Sequence, residues 1–286
     1  MEEVHLWRGS AEQRALRSRL GNLSRFAYFD RQLDYPDWRG KAVLDFGGNI
    51  GGLLRGSNRA IRPEDYYCAD VLQEAMTEGR KSFPQANWIH FNRYNCSFNP
   101  EGIEGLPIPD MGIEFGMILA YSVFTHTTRE EMNELVGRLQ TRLAPGGALA
   151  FTFIDPHFNP ALSNGRVNPG YYSGSCLKQR LEIMKRENLA VDVEPLLEKA
   201  RDARWCILVN DDDLYVESEN IKHYEESGKK SYCTFYTADY MKTIFPDAVV
   251  LPPQHAAYPP SVEAKLQHCC VLRKGKAASD GRNSFE

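Results

Sequence analysis

The sequence lacks the features that mark membrane, secreted and nucleic-acid-binding proteins. No apolar run reaches the roughly 18 residues that a membrane-spanning helix needs, and no apolar segment typical of a signal peptide stands near residue 1. The 286 residues carry a formal net charge of −4 and a pI near 6.0, so no basic excess would attract nucleic acid. We therefore expect a cytoplasmic protein that binds neither membranes nor nucleic acid.

Metal-binding patterns are also missing. None of the seven cysteines belongs to a Cys-x-x-Cys pair, and structural zinc needs such spaced ligands. Cys269 and Cys270 lie in an apolar run, so we expect buried, reduced thiols. The acids Asp211–Asp213 could suggest a metal site, but acids in a turn are usually solvated. We expect no bound metal.

The most informative segment, residues 41–52, reads Lys-Ala-Val-Leu-Asp-Phe-Gly-Gly-Asn-Ile-Gly-Gly. Val43 and Leu44 predict a short buried strand that Asp45 ends, and a helix begins near Leu53 after the glycines. Because glycine has no Cβ, such a turn lets the backbone approach a bound nucleotide closely. A strand, a glycine turn and a helix N-terminus together predict a cofactor site.

The spacing of this turn differs from the dinucleotide fingerprint G-x-G-x-x-G, which has an acid about 20 residues later. Here the order is Asp45-x-Gly47-x-Asn49-x-Gly51. It resembles motif I of the class I S-adenosylmethionine-dependent methyltransferases, D/E-x-G-x-G-x-G, with Asn49 at the middle glycine. Asparagine tolerates positive φ better than most residues, so the tight turn can persist. An ordinary glycine-rich strand-to-helix turn is the alternative.

Two further blocks agree with this resemblance. The short run 65–70 ends in Asp70, 19 residues after Gly51, where a carboxylate can accept hydrogen bonds from both ribose hydroxyls. Residues 114–122 predict a buried strand, and Thr128-Arg-Glu-Glu131 predicts a capping box. The helix that follows, its Pro-Gly-Gly stop at 145–147 and the next strand are similar to motifs IV and V of the family. The resemblance covers residues 41–155.

Strands that alternate with helices predict an α/β fold with a Rossmann-like, doubly wound, mostly parallel seven-stranded sheet. By resemblance, the last strand is antiparallel and lies between strands five and six. Two strand-like runs around residues 210–213 predict a β-hairpin. We divide the chain into a helical, aromatic-rich leader (1–39), a cofactor-binding core (40–155), a substrate-lid insertion between strands five and six (156–235), the C-terminal part of the sheet (236–274) and a disordered tail (275–286).

The resemblance implies S-adenosyl-L-methionine as the cofactor, bound beyond the carboxyl ends of the strands. Glycine-turn residues would line its methionine part, with Asp45 near the ammonium. Asp70 would hold the ribose, and Asn95 and Cys96 would lie near the adenine. Tyr121 and Ser122 would pass close to the sulfonium. The predicted cofactor residues are Asp45, Gly47, Gly48, Asn49, Gly51, Asp70, Val71, Asn95, Cys96, Tyr121, Ser122 and Phe124.

Two histidines are the candidates for a general base, because imidazole titrates near neutral pH. His126 follows the fourth strand and His157 follows the fifth. Each could instead be structural, and an activated carbon or a neutral amine needs no base. Aromatic residues of the leader could cover the ligands or pack on the sheet. The predicted substrate residues are Tyr28, Tyr35, His157, Tyr171, Tyr172, Tyr236 and His255.

These features predict an enzyme, a methyltransferase that acts on a small molecule in specialised biosynthesis as a monomer or homodimer. The Asn-Pro-Pro-Tyr signature of enzymes that methylate bases or glutamine is absent after the fourth strand. The alternative is a protein that binds the cofactor without methylating, for a cyclisation or as a binding partner. An NAD-dependent oxidoreductase would need the dinucleotide spacing and a Tyr-x-x-x-Lys pair. The acceptor, and whether its methylated atom is oxygen, nitrogen or carbon, stays open.

Overall fold

The computed structural model describes residues 25–159, 174–186, 191–209, 213–217, 232–253 and 267–276. Ten strands and six helices have defined bounds within these residues. The strands are β1 (Val43–Phe46), β2 (Tyr66–Asp70), β3 (Asn87–His90), β4 (Phe115–Ala120), β5 (Leu143–Ile154), β6 (Trp205–Val209), β7 (Asp213–Val216), β8 (Tyr232–Tyr236), β9 (Val249–Leu251) and β10 (Gln267–Arg273). The helices are α1 (Gly52–Gly56), α2 (Gln73–Ser82), α3 (Arg129–Thr141), α4 (Cys176–Arg186), α5 (Val193–Lys199) and α6 (Ala238–Ile244).

The main sheet has seven strands in the order β3-β2-β1-β4-β5-β10-β9. Strands β1 to β5 pair in parallel, whereas β10 runs antiparallel to both β5 and β9. Six strands therefore point the same way and β10 opposes them. This arrangement confirms the predicted Rossmann-like sheet, including the antiparallel last strand between the fifth and sixth.

Both faces of the sheet are covered. All four residues of β1 are buried, as expected for a strand between two apolar layers. On one face pack α3 and α6, with Met132 and Leu135 of α3 in the core. On the other pack α1, α2 and the helical residues 25–32, with Tyr28 and Phe29 fully buried. The carboxyl ends of the parallel strands lie at one edge of the sheet, between these two layers.

Two element boundaries differ from the sequence prediction. The first helix, which the sequence predicts over 51–60, ends at Gly56, because the Ser57 hydroxyl donates to Leu54 O and Asn58 and Arg59 adopt positive φ. The segment 145–147 is not a separate turn before the fifth strand, as predicted, but an irregularity inside β5. Leu143 already pairs with Phe115 of β4, so pairing begins before the glycines and resumes after them.

The described part of the insertion forms a second unit with its own core. Strands β7-β6-β8 make a three-stranded antiparallel sheet, which confirms the hairpin predicted around 210–213. Residues of this sheet, α4 and α5 form a separate apolar cluster. One face of this sheet, with Ile207, Val209 and Tyr236, packs in the core cluster of the main sheet, and the Thr234 hydroxyl donates to Thr127 O at 2.6 Å. The unit therefore packs near the end of β4.

None of the helices within the described ranges is both long and apolar enough to cross a bilayer.

Replacing the cap of α3 should destabilise the fold. Thr128 Oγ1 accepts from the Glu131 N–H and the Glu131 carboxylate accepts from the Thr128 N–H, so both halves of the predicted capping box are present. We expect Thr128→Ala to lower the free energy of unfolding by about 1 kcal/mol, measured by urea denaturation. Thr77→Ala is the control, since the Thr77 hydroxyl bonds only within its own helix. Equal losses in the two variants would contradict the role of the cap.

Candidate functional site

The glycine turn after β1 (residues 47–51) has positive φ at alternate positions. The angle is 73° at Gly47, 53° at Asn49 and 77° at Gly51. The Gly47 N–H donates to Ala69 O at 2.7 Å, which ties the turn to β2. A Cβ at Gly47 would lie 2.4 Å from Val123 Cγ2. The turn therefore needs glycine at Gly47 for both conformation and space. Asn49, which stands where the motif has its middle glycine, adopts the positive φ that this position requires.

Asp70 joins the glycine turn to the segment that follows β2. It is 7% exposed. One carboxylate oxygen accepts from the Asn49 N–H at 2.7 Å, and the other accepts from the Leu72 N–H at 2.9 Å. Burial raises the pKa of Asp70, while these N–H groups and the positive charge of Arg25 oppose the rise. The structure thus brings together the two predicted parts of the cofactor site, the turn and the acid.

Asp45 lies behind the glycine turn. It is 3% exposed, and its carboxylate accepts a 2.6 Å hydrogen bond from the Tyr66 hydroxyl. A Cβ at Gly48 would lie 2.6 Å from Asp45 Cγ. Burial raises the pKa of Asp45 from 3.8 to about 6, against the effects of Tyr66 and Arg25. Asp45 therefore packs directly against the backbone of the turn.

Arg25 is a charged residue of this site that the sequence analysis missed. Its guanidinium lies 5.3 Å from the centre of the Tyr121 ring. Its charge also acts on both Asp45 and Asp70. No motif indicated Arg25, because it comes from the leader and reaches the site only through the fold. Asp45, Asp70 and Arg25 together bring two carboxylates and one guanidinium to this part of the site.

The loop after β3 contacts the turn after β4. Asn95 donates through Nδ2 to His126 O at 2.8 Å, while its Oδ1 accepts from the N–H groups of Ser97 and Phe98. The half-buried His126 ring meets the Phe98 ring edge to face at 5.0 Å between centres. Burial raises the pKa of the neighbouring Cys96 thiol to about 11, so that thiol is neutral near pH 7. Two predicted site residues, Asn95 and His126, are therefore in contact.

Arg93 supports this loop from inside. It is a buried side chain whose guanidinium donates to both carboxylate oxygens of Glu134 on α3 and to Leu106 O. A bidentate ion pair of this kind fixes the orientation of the two side chains as well as the distance between them. The loop that carries Asn95 is thereby held to α3 independently of any ligand.

Ser122 follows β4 with a φ of 56°, unusual for a residue with a side chain. Its N–H donates to the Thr152 hydroxyl on β5 at 2.7 Å. The preceding Tyr121 is buried and packs edge to face on Tyr28 and Phe29 of the leader. The two residues predicted near the sulfonium are thus held by the neighbouring strand and by the leader.

Three predicted ligand contacts are core residues. Phe124 has no exposed surface and packs edge to face on Phe151, so it does not line an open cleft. Tyr28 is fully buried and donates to Gln267 O at 2.9 Å. Tyr236 is fully buried beside Tyr240. The assignment of these three rings to ligands stays a prediction, because an apolar ring near a strand end satisfies the core as readily as a pocket.

The other predicted substrate and cofactor residues are more exposed or lie elsewhere. Tyr35 is 62% exposed with a φ of 52°. Val71 is half-buried, and its carbonyl faces His90 Nε2 at 3.2 Å. His157 is exposed, with its ring Nε2 3.2 Å from Ala203 O of the insertion. The positions outside the described residues are Tyr171, Tyr172 and His255.

In the described segments, no group of three or more histidine, cysteine, aspartate or glutamate side chains could hold a metal ion. Of the three acids considered in the sequence, Asp213 accepts a 2.5 Å hydrogen bond from the Tyr215 hydroxyl. Asp211 and Asp212 lie outside the described residues.

Comparisons with known proteins add information about the fold. The sequence matches no protein-family model and no curated protein sequence. Among solved structures, an S-adenosylmethionine-dependent methyltransferase from Clostridium acetobutylicum is similar over 92% of this chain and 98% of its own, with 9% identity and a TM-score of 0.50. The glycopeptide N-methyltransferase MtfA with sinefungin is similar over 89% of this chain and 94% of its own, with 10% identity and a TM-score of 0.50.

At such low identity these similarities concern the backbone and not the site residues. They agree with the strand order and with the antiparallel β10 described above. The chain therefore has the fold of the class I S-adenosylmethionine-dependent methyltransferases.

Proposed function

We propose that the protein binds S-adenosyl-L-methionine at the glycine turn and transfers its methyl group to a small molecule. The observation that carries the proposal is the bond from the Asn49 N–H to the Asp70 carboxylate. It places an acid at the end of β2 beside a turn in which a Cβ at Gly47 has no room. A nucleoside needs both a close backbone approach and an acceptor for its ribose.

The charges of the site support this cofactor over NADP. Each Asp70 oxygen already accepts one backbone N–H, but a carboxylate has about four lone-pair positions, so acceptor capacity is left for two ribose hydroxyls. The same buried negative charge would repel a 2′-phosphate. A sulfonium cation is favoured beside Asp45 and Asp70, and Arg25 is the cation available to a methionine carboxylate.

The bound cofactor would supply the methyl group on an electrophilic carbon, so the protein mainly has to position and select. Glycine-turn residues and Asp70 would hold the cofactor, with Asn95 fixing the loop beside it. His126 is the proposed general base, because Asn95 fixes its backbone while its ring remains half-exposed. The insertion, which packs near Thr127, is the proposed lid over a bulky acceptor.

Removing the Asp70 carboxylate should weaken cofactor binding. We expect Asp70→Ala to lower the affinity for S-adenosylhomocysteine about 100-fold, because two hydrogen bonds to a charged group are lost. Asp65→Ala is the matched control at the other end of the same strand, where Asp65 pairs with the exposed Arg62. Titration calorimetry measures the affinity of both variants, and an unchanged affinity in Asp70→Ala would contradict the proposal. If the wild type binds the cofactor but yields no methylated product across a broad metabolite panel, the non-methylating alternative is favoured.

The stability of the protein should fall as Asp45 ionises. Its folded pKa of about 6 exceeds the ordinary 3.8, so the folded state binds the proton more tightly and loses stability as pH rises through about 6. Relative to Asp45→Asn, we expect the wild type to lose about 1 kcal/mol between about pH 5 and about pH 8. Urea denaturation across this range provides the measurement. Parallel stability profiles for the two proteins would show that Asp45 titrates normally.

His126→Asn tests the proposed base while keeping the backbone carbonyl that Asn95 uses. With an acceptor found in the panel, we expect kcat/KM to fall about 100-fold and the loss of rate at acidic pH to disappear. His157→Asn is measured in parallel. A fall only in His157→Asn would assign the base there, and no fall in either would show that the acceptor needs none.

A further inference from the structure

Gln267 lies at the ligand edge of the sheet although no sequence motif marks it. It is the first residue of β10 and pairs with Ile154, the last residue of β5. Because β10 is antiparallel, its first residue lies beside the carboxyl ends of the parallel strands, where ligands bind in such sheets. Its side chain reaches Ser122, and the next residue, Val123, packs against the glycine turn at Gly47. Gln267 therefore belongs to the neighbourhood of the proposed methyl transfer.

The neighbouring hydrogen bonds agree with one orientation of the Gln267 amide. Thr125 Oγ1 donates its one hydrogen to Ser122 O at 3.0 Å. In the 3.0 Å pair between Ser122 Oγ and Thr125 Oγ1, the donor is therefore Ser122. The Ser122 hydroxyl can then only accept from Gln267, so Nε2 faces it at 3.1 Å. The carbonyl oxygen Oε1 is therefore the amide atom that makes no hydrogen bond to Ser122.

That carbonyl oxygen is buried without a hydrogen-bond donor among the described residues. The residue is 4% exposed. Buried polar atoms in folded proteins nearly always have partners, because leaving one unsatisfied is costly. A costly acceptor at the ligand edge of a sheet indicates that its donor arrives with a ligand. Neither Ser122 nor Thr125 can supply it, since both of their hydrogens are already used.

We propose, on the basis of the methyltransferase function above, that Gln267 Oε1 accepts a hydrogen bond from the N–H of an amine substrate. A neutral amide can hold one N–H and leave the nitrogen lone pair free to attack. A substrate hydroxyl fits less well. Its only proton would be hydrogen-bonded to the amide oxygen, which is too weakly basic to remove it. The substrate class is therefore a primary or secondary amine.

The transfer balances without a further reactant. The nitrogen lone pair forms the new C–N bond while the S–C bond breaks and its electron pair stays on sulfur. The product nitrogen, now cationic, releases one proton to His126, the proposed base. The hydrogen bond to Gln267 Oε1 can remain in place through the step, so Gln267 orients the amine and takes no proton itself.

The experiment compares Gln267→Met with Gln179→Met. Gln179 is an equally buried glutamine, 3% exposed, whose Nε2 donates to Gly174 O within the insertion. Three quantities are measured: affinity for S-adenosylhomocysteine by calorimetry, the thermal unfolding midpoint without ligand, and methylation of a panel of amines, phenols and sugars with S-adenosyl-L-[methyl-13C]methionine. The 13C chemical shift of the product identifies the methylated atom as nitrogen, oxygen or carbon.

We expect the wild type to place the methyl group on nitrogen. Gln267→Met should lower kcat/KM about 10- to 100-fold and leave the affinity for S-adenosylhomocysteine unchanged. Its unfolding midpoint should change little, because losing the bond to Ser122 offsets the removal of an unsatisfied acceptor. Gln179→Met should unfold at a lower temperature and keep its affinity for S-adenosylhomocysteine.

Methylation on oxygen or carbon, or an undiminished kcat/KM in Gln267→Met, would each overturn the inference. A panel in which no amine is methylated would overturn it as well. Failure of the wild type to bind S-adenosylhomocysteine is a different result, which would contradict the proposed function itself.

Discussion

The hydrogen bond between the Asn49 N–H and the Asp70 carboxylate is the contact on which the candidate site depends. Positive φ at Gly47, Asn49 and Gly51 turns the chain sharply and directs backbone groups away from regular pairing. Asp70 satisfies one of them and, through its second oxygen, also holds Leu72. One buried carboxylate thus fixes the turns after both β1 and β2.

The electrostatics of the site follow from this arrangement. Asp45 and Asp70 are both buried, and burial raises the pKa of each. Arg25 provides one positive charge for two carboxylates, so the ionised site has a negative excess. Charges in such surroundings are screened far less than on the surface. The site therefore favours a ligand that brings a positive charge close to the turn and disfavours one that brings an extra phosphate.

What the sequence could predict depended on how local the signal was. The turn, Asp70 and the capping box at Thr128 were recognisable because a few adjacent residues determine each of them. Arg25 and Gln267 were not, because their roles arise from contacts across the fold; the Tyr28 hydroxyl bonds Gln267 O across 239 residues of chain. Aromatic residues are ambiguous for another reason. At Phe124 a ring beside a strand end packs inward, and composition alone does not distinguish core from pocket.

Besides the bond from the Ser122 N–H to Thr152 on β5, three ties from more distant parts of the chain hold the turn after β4. Asn95, after β3, bonds the backbone at His126; Gln267, on β10, bonds the side chain of Ser122; and Thr234, in the insertion, bonds the backbone at Thr127. A single long-range hydrogen bond would be enough to anchor this segment of the chain. Three ties fix its orientation as well, which a site needs when reacting groups must be aligned within a fraction of an ångström. The positive φ at Ser122 is the strain that such a framework can support.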